Sequence, residues 1–277
     1  MTTQNLSGKV RQINNKFNLL TPQVENIANT IVSTLSRKIE TGSLHIILGN
    51  VGSGCSSAIE ICRKRLRHKF KNILTLQPPI LSDGFNPWSL ILEYYGFHYS
   101  TLALKVKMGS IPRPVMTLIE HAEIDCIIVE DFLDGLDRPK EKQQAVDAWL
   151  SLARHPTRLT VILTTNNHAY CKNLEDNNLV TIHRLQEWDD DEKFSLFIDK
   201  LQELLRRDFC IRLNLEQKKL IYKLCNGNTG NLIRLIREYA VAMLLDAKYQ
   251  KCRTTEYLPL VSAIKKNAIL FVAQSSQ

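Results

Sequence analysis

The segment Gly49-Asn50-Val51-Gly52-Ser53-Gly54-Cys55-Ser56 has the spacing of a loop that holds phosphate, with one residue changed. The pattern G-x-x-x-x-G-K-[ST] reads G-N-V-G-S-G-C-S, so Cys55 stands where a lysine is expected. An apolar run, Leu44-His45-Ile46-Ile47-Leu48, precedes it, and Ser57 to Phe70 reads as a helix after it. Strand, glycine-rich turn and helix start together present backbone N–H groups to an anion, with Ser56 and Ser57 at the first turn. A lysine would add positive charge at the outer phosphates, and its loss removes the strongest single side-chain contact.

A second group belongs with that chemistry. Asp125-Cys126-Ile127-Ile128-Val129-Glu130-Asp131 is a hydrophobic strand ending in two acids. In such a pair the first acid holds the shell of a Mg²⁺ ion, here Glu130 with Ser56, and the second polarises water, here Asp131. The usual Asp-Glu order is reversed, which moves each carboxylate by one methylene and disturbs an in-line geometry. A third element ends the run Leu159-Thr160-Val161-Ile162-Leu163-Thr164, where Thr165 and Asn166 follow. Asn166 there would lie between loop and acids and orient water. Read singly, the acids also serve as a solvated strand end, and Thr and Asn as ordinary turn formers. The combined reading is an ATP and Mg²⁺ site, weak or lost, with Glu130, Asp131 and Asn166 as its degenerate catalytic set.

The elements that must position these residues are legible in the apolar pattern. Thr21-Pro22 opens a helix, with apolar positions at Val24, Ile27, Ala28, Ile31, Val32 and Leu35. Short apolar runs at 72–76, 126–129, 159–164 and 179–182 join 44–48 as strands. Helical patterns at 88–95, 116–122 and 142–153 lie between them. Strands alternating with helices predict a five-stranded parallel sheet covered on both faces. From Trp188 onward the pattern is purely helical, over 189–205, 215–225 and 229–247. The expected division is a tail over 1–20, an α/β core over 21–187, a helical lid over 188–250 and a C-terminal segment over 251–277.

Composition sets limits on the class. The 277 residues are 44% apolar, enough for a real core, with a net charge of +8 that favours a polyanionic partner. No run reaches the length of a membrane span, and the first 34 residues lack the order of a signal peptide, so a cytoplasmic protein without a membrane partner is expected. Seven cysteines, at 55, 62, 126, 171, 210, 225 and 252, include no C-x-x-C pair and read as reduced thiols.

With these parts in this order, the chain resembles the AAA+ ATPases, and within them the TniB/TnsC-type regulators of DNA transposition. The likeness covers roughly Pro22 to Asp246. It is carried by the loop 49–56, the strand and acids 125–131, the strand 159–164, Leu185-Gln186-Glu187-Trp188 before an acid-led helix, and the lid segment Gly227-Asn228-Thr229-Gly230-Asn231-Leu232. It implies an α/β P-loop core with a C-terminal helical lid, and subunits that assemble on DNA with copies of themselves or with an active homologue. The partners it implies are a transposase and target-selector proteins. It also exposes departures. An Arg-Phe pair expected upstream of the tryptophan reads Leu179-Val180, and the lid arginine's place is held by Ile233, with Arg234 one residue late. One residue turns a helix position by about 100°, so Arg234, the lid candidate for nucleotide contact, is displaced. Lysine, acid order, finger and lid arginine are all altered, and four lapses point to weakened or lost hydrolysis. An active enzyme that recruits another cation and an adaptor that binds no nucleotide remain as alternatives.

DNA contacts have two candidate surfaces. Arg63-Lys64-Arg65-Leu66-Arg67-His68-Lys69-Phe70-Lys71 is the densest basic run, with Arg63 and Arg67 on outward faces of the loop helix. Lys105 and Lys107 lie in a stretch that looks like the inserted element which related ring-forming proteins turn toward DNA. Contacts of either kind would meet phosphates and carry no sequence code.

Overall fold

The computed structural model describes residues 21–37, 42–77, 87–97, 110–134, 136–154, 157–189, 192–209 and 215–237. They divide into two compact units, Pro22–Leu185, and Thr21 with the described residues from Gln186 onward. The first unit is built on five strands, β1 (Ser43–Gly49), β2 (Asn72–Leu76), β3 (Ile124–Val129), β4 (Thr160–Thr165) and β5 (Val180–Leu185). Their order across the sheet is β2-β3-β4-β1-β5, and every pairing is parallel.

Burial explains why the inner strands β1, β3 and β4 read as nearly continuous apolar runs. Helices cover both faces of a parallel sheet, so no face is left for polar residues. All of β4 is buried, as is β1 after its first residue. The period of two divides the side chains between two cores. Leu44, Ile46, Leu48, Ile127, Val129, Val161 and Leu163 pack with Trp88 and Trp149 on one face. Ile47, Cys126, Ile128 and Ile162 pack on the other with Ile31, Ile59 and Leu66. The first face is covered by α3 (Pro87–Tyr94), α4 (Arg113–His121) and α5 (Pro139–Ala153), the second by α1 (Pro22–Arg37) and α2 (Cys55–Leu66).

Several boundaries differ from the sequence expectation, each for a local reason. Helix α2 begins at Cys55 because Gly54 caps it in a left-handed conformation, and it ends at Leu66, where Lys69 and Phe70 turn back onto the Leu66 carbonyl. Helix α5 begins at Pro139 and α4 near Pro114, since proline is tolerated in the first helical turn. Strand β5 runs on to Leu185 because it is an edge, where exposed Thr181 and Arg184 break the apolar run. A short helix, α6 (His168–Lys172), has no counterpart in the sequence expectation. Lys105, Lys107, the tail 1–20 and the segment 251–277 lie outside the described residues.

The second unit contains α7 (Glu192–Phe209), α8 (Leu215–Cys225) and a helical stretch over 229–237. Trp188 is its centre. Its ring stacks on Phe197 with centroids 5.0 Å apart, and its indole N–H donates to Thr229 Oγ1 at 2.9 Å. The Trp188 backbone N–H donates to the Gly227 carbonyl at 2.8 Å, and the Tyr222 hydroxyl donates to the Trp188 carbonyl at 3.2 Å. Gly227 has φ of +69°, and a Cβ there would stand 2.2 Å from the Trp188 oxygen. The tryptophan and the Gly-x-x-Gly segment are therefore one packing unit.

Candidate nucleotide site

The loop leaves the carboxyl end of the central strand and enters α2 through two glycines in the positive-φ region, Gly52 and Gly54. Gly54 has φ of +109°, and a Cβ there would meet Val24 of α1 at 2.7 Å, so backbone conformation and close packing both call for glycine. The turn is closed by the Ser53 N–H donating to the Asn50 carbonyl at 2.9 Å. Among the described residues no side chain caps the start of α2, and no acid lies in its first turn. Ser56 and Ser57 are exposed there, beside amides that favour an anion.

Cys55 behaves unlike the lysine it replaces. Its Sγ lies 3.8 Å from the Gly49 carbonyl oxygen and 3.5 Å from Ser53 Oγ. A thiol has one proton, so with that proton on Gly49 the Ser53 hydroxyl donates to the sulfur. The side chain thus folds back under the loop. Burial pushes the thiol up from its ordinary range, the Ser53 contact opposes this, and the charges of Asp131 and Asp134 push it further up. The thiol is therefore neutral at pH 7, and the loop 49–57 carries no cation.

The acids reach the same place by way of β4. Asp131 adopts φ of +52°, its N–H donates to Thr164 Oγ1 at 2.8 Å, and that hydroxyl donates to Asp131 Oδ1 at 3.4 Å. Burial raises the Asp131 carboxyl, Asp134 adds to this, and the Thr164 bond opposes it. Asp134, which no sequence motif singles out, accepts from Thr165 Oγ1 at 2.7 Å and from the Asn166 N–H at 3.1 Å. Asn166 is exposed at the end of β4 beside that turn. Glu130 is half-buried, its N–H donates to the Leu76 carbonyl at 3.1 Å, and its carboxylate bonds to no other described residue. Asn50 of the loop meets His168 Nε2 of α6 at 3.1 Å, a contact across 118 positions that no local pattern announces.

Leu179 is half-buried, its N–H donates to Asn177 Oδ1 at 3.0 Å, and its carbonyl accepts from the Leu44 N–H at 2.9 Å, so a backbone-anchored apolar residue occupies the finger's place. Arg234 is half-buried in the helical stretch of the second unit. Arg63 pairs with Glu60, whereas Arg67 is exposed.

The sequence matches no protein-family model, and no curated protein matches it. Solved structures do. The Orc1 protein of Aeropyrum pernix in complex with DNA aligns at a TM-score of 0.59 and 15% identity, over 90% of this chain and 66% of that one. The fold is that of an AAA+ P-loop domain. The ADP form of the Aeropyrum pernix Orc2 protein aligns at 0.53 and 11% identity, over 91% of this chain and 72% of that one. Domain III of the Thermotoga maritima replication initiation protein DnaA aligns at 0.53 and 11%, over 89% of this chain and 95% of that domain. This chain thus spans just under two thirds of the Orc1 structure, and at these identities the AAA+ likeness is one of fold.

Proposed function

We propose that this AAA+ chain is a TniB/TnsC-like regulator of DNA transposition. It assembles on DNA with copies of itself or an active homologue and links target selection to a transposase. It hydrolyses ATP weakly or not at all. The observation that carries the loss of hydrolysis is the Cys55 thiol, neutral and folded onto Gly49, with Asp131 and Asp134 as the charges it faces. A triphosphate placed there meets carboxylates without the cation that normally offsets them.

The site fits nucleotide in part. The uncapped amides of α2 and the exposed Ser56 and Ser57 hydroxyls would hold phosphate oxygens, and Ser56 with Glu130 would offer oxygens to Mg²⁺. Bound Mg²⁺ would neutralise phosphate charge. Thr164 fixes the Asp131 carboxylate, and Thr165 fixes that of Asp134, so the acids are positioned although the lysine is absent. The DNA and transposition parts of the reading rest on the sequence likeness, the +8 charge and the fold shared with a protein solved in complex with DNA.

Turnover of Mg²⁺-ATP by the pure chain, measured beside an intact AAA+ ATPase, tests the reading. The expected result is turnover at the background level. Steady turnover that disappears in Asp131→Asn overturns it and restores an active enzyme. Calorimetry that detects no ATP binding at all leaves the adaptor instead.

A further inference from the structure

The edge strand β2 borders a cleft of about 730 Å³. It runs beside Asn72–Thr75 and Ile124, toward the amino ends of the parallel strands, whereas the phosphate loop leaves a carboxyl end. Among the described residues, Arg63 lines it from the last turn of α2, Arg67 and Lys71 from the turn between α2 and β2, and Tyr94 and Tyr95 from the end of α3. The two tyrosines are 58% and 37% exposed and meet edge-to-face with centroids 5.2 Å apart. The Tyr94 ring is thus largely open to solvent and the Tyr95 ring partly so, both beside cations, with π-faces that a planar group can cover.

The charges are only partly offset. Glu60 is divided between Arg63 and Lys64. The Arg63 Nε is buried with no hydrogen-bond partner among the described residues. Lys71 Nζ lies 3.6 Å from Glu123, but both side chains are more than two-thirds exposed and the pair is screened. The Asp125 carboxylate is occupied by the backbone N–H groups of Lys71 and Asn72. Arg67 is exposed and forms no ion pair among the described residues.

We propose that this cleft binds single-stranded nucleic acid, with phosphates on Arg63, Arg67 and Lys71 and an unpaired base stacked on the Tyr94–Tyr95 pair. The proposal rests on the DNA-associated reading above and adds where a strand sits and in what form. Cations that track a backbone beside rings that accept any base are how sequence-tolerant single-strand sites are made. A duplex keeps its base faces stacked and cannot use the rings. An extended peptide could add to the β2 edge, yet it would need side-chain pockets rather than three cations.

The test is fluorescence anisotropy of the full chain with a labelled 20-mer of deoxythymidine, and with a mixed-sequence duplex of equal length. Tyr94→Ala with Tyr95→Ala should weaken binding of the single strand about tenfold or more and leave the duplex unchanged, while the paired Tyr→Phe variant keeps parental binding. Arg67→Glu should weaken the single strand and flatten its salt dependence by about 0.7 in slope for each phosphate no longer neutralised. Parental single-strand binding by the double alanine variant, with an unchanged melting curve, overturns the proposal and leaves the DNA reading standing. Binding to neither probe at low salt sinks that reading as well. Binding of labelled polyglutamate that Arg67→Glu abolishes, with no binding of oligothymidine, assigns the cleft to an acidic peptide and also overturns it.

Discussion

The Cys55 thiol donates to the Gly49 carbonyl across 3.8 Å, so the side chain at the lysine position turns into the loop and not toward a ligand. Gly49 accommodates it closely, since a Cβ there would lie 2.3 Å from Ser53 Oγ and 3.2 Å from Cys55 Sγ. Loop, serine and thiol form one small closed packing unit around a strand end.

That unit makes Cys55→Lys informative. A lysine restores the cation and should tighten Mg²⁺-ATP binding by about 1.5–3 kcal/mol, the worth of a charge-assisted hydrogen bond. Cys55→Ala, which only removes the sulfur, should leave affinity near that of the parent. Titration calorimetry of the three proteins decides the matter. Equal affinities would mean that the loop is not shaped for phosphate and that the thiol is simply a small packed side chain.

Gly54→Ala should destabilise the first unit by about 1–3 kcal/mol, because it strains the backbone and drives a methyl into Val24. Gly96 provides the contrast. It has φ of +81° with no atom of the described residues within 4 Å of the added carbon, so Gly96→Ala should cost only the conformational part, about 1 kcal/mol. Urea midpoints of the two variants separate strain from collision, and equal losses would remove the α1 contact from the account.

How much of this can be read from the chain depends on distance along it. The five strands are legible as apolar runs because both sheet faces are covered, and α1 because proline and a regular stripe mark its start. Strand order is not legible, since β1 pairs with β4 and β5, more than 100 residues on. Asp134 escapes notice because its hydroxyl and amide partners lie 31 and 32 positions away on β4 and just beyond it. The five residues of α6 are too few to show a period. Trp188 and the Gly227 segment are both visible as motifs, but not that one clamps the other.

Trp188→Phe should keep the stack on Phe197 and lose the bond to Thr229, at a cost of about 1 kcal/mol to the second unit. Trp188→Ala removes both and should cost about 3–5 kcal/mol. Hydrogen exchange over 192–237 measures each loss, and no difference between the two variants would show that the ring does not organise this unit.

Acid should weaken the first unit through a buried pair. His45 Nδ1 and His183 Nε2 lie 3.1 Å apart on β1 and β5, and burial lowers the His183 pKa from its ordinary 6.5. The unfolded chain then binds a proton more readily than the folded one. Stability is therefore level above pH 6.5 and is lost as pH falls through the lowered value. Asp131, raised by burial and by Asp134, works in the opposite sense but in the lower, carboxylate range. Thermal melts between pH 8 and 5.5 should fall for the parent and stay flatter for His183→Gln. A parent melt that is level across this range would remove the pair from the account.

Duplex DNA binding should be sequence-tolerant and should fall steeply with salt, since its candidate contacts are cations meeting phosphates. Each phosphate no longer neutralised lowers the slope of log K against log salt by about 0.9. Lys105→Ala with Lys107→Ala should therefore flatten it by nearly two units and weaken unrelated duplexes equally. On α2 the outcome should differ by residue. Arg63 shares its charge with Glu60, so Arg63→Ala should change the slope less than Arg67→Ala, whose cation is exposed. A slope that Lys105 and Lys107 leave unchanged but Arg67→Ala reduces would move the duplex surface to α2. If none of these changes alters binding, the +8 charge serves solubility, and the chain acts as an adaptor through protein surfaces alone.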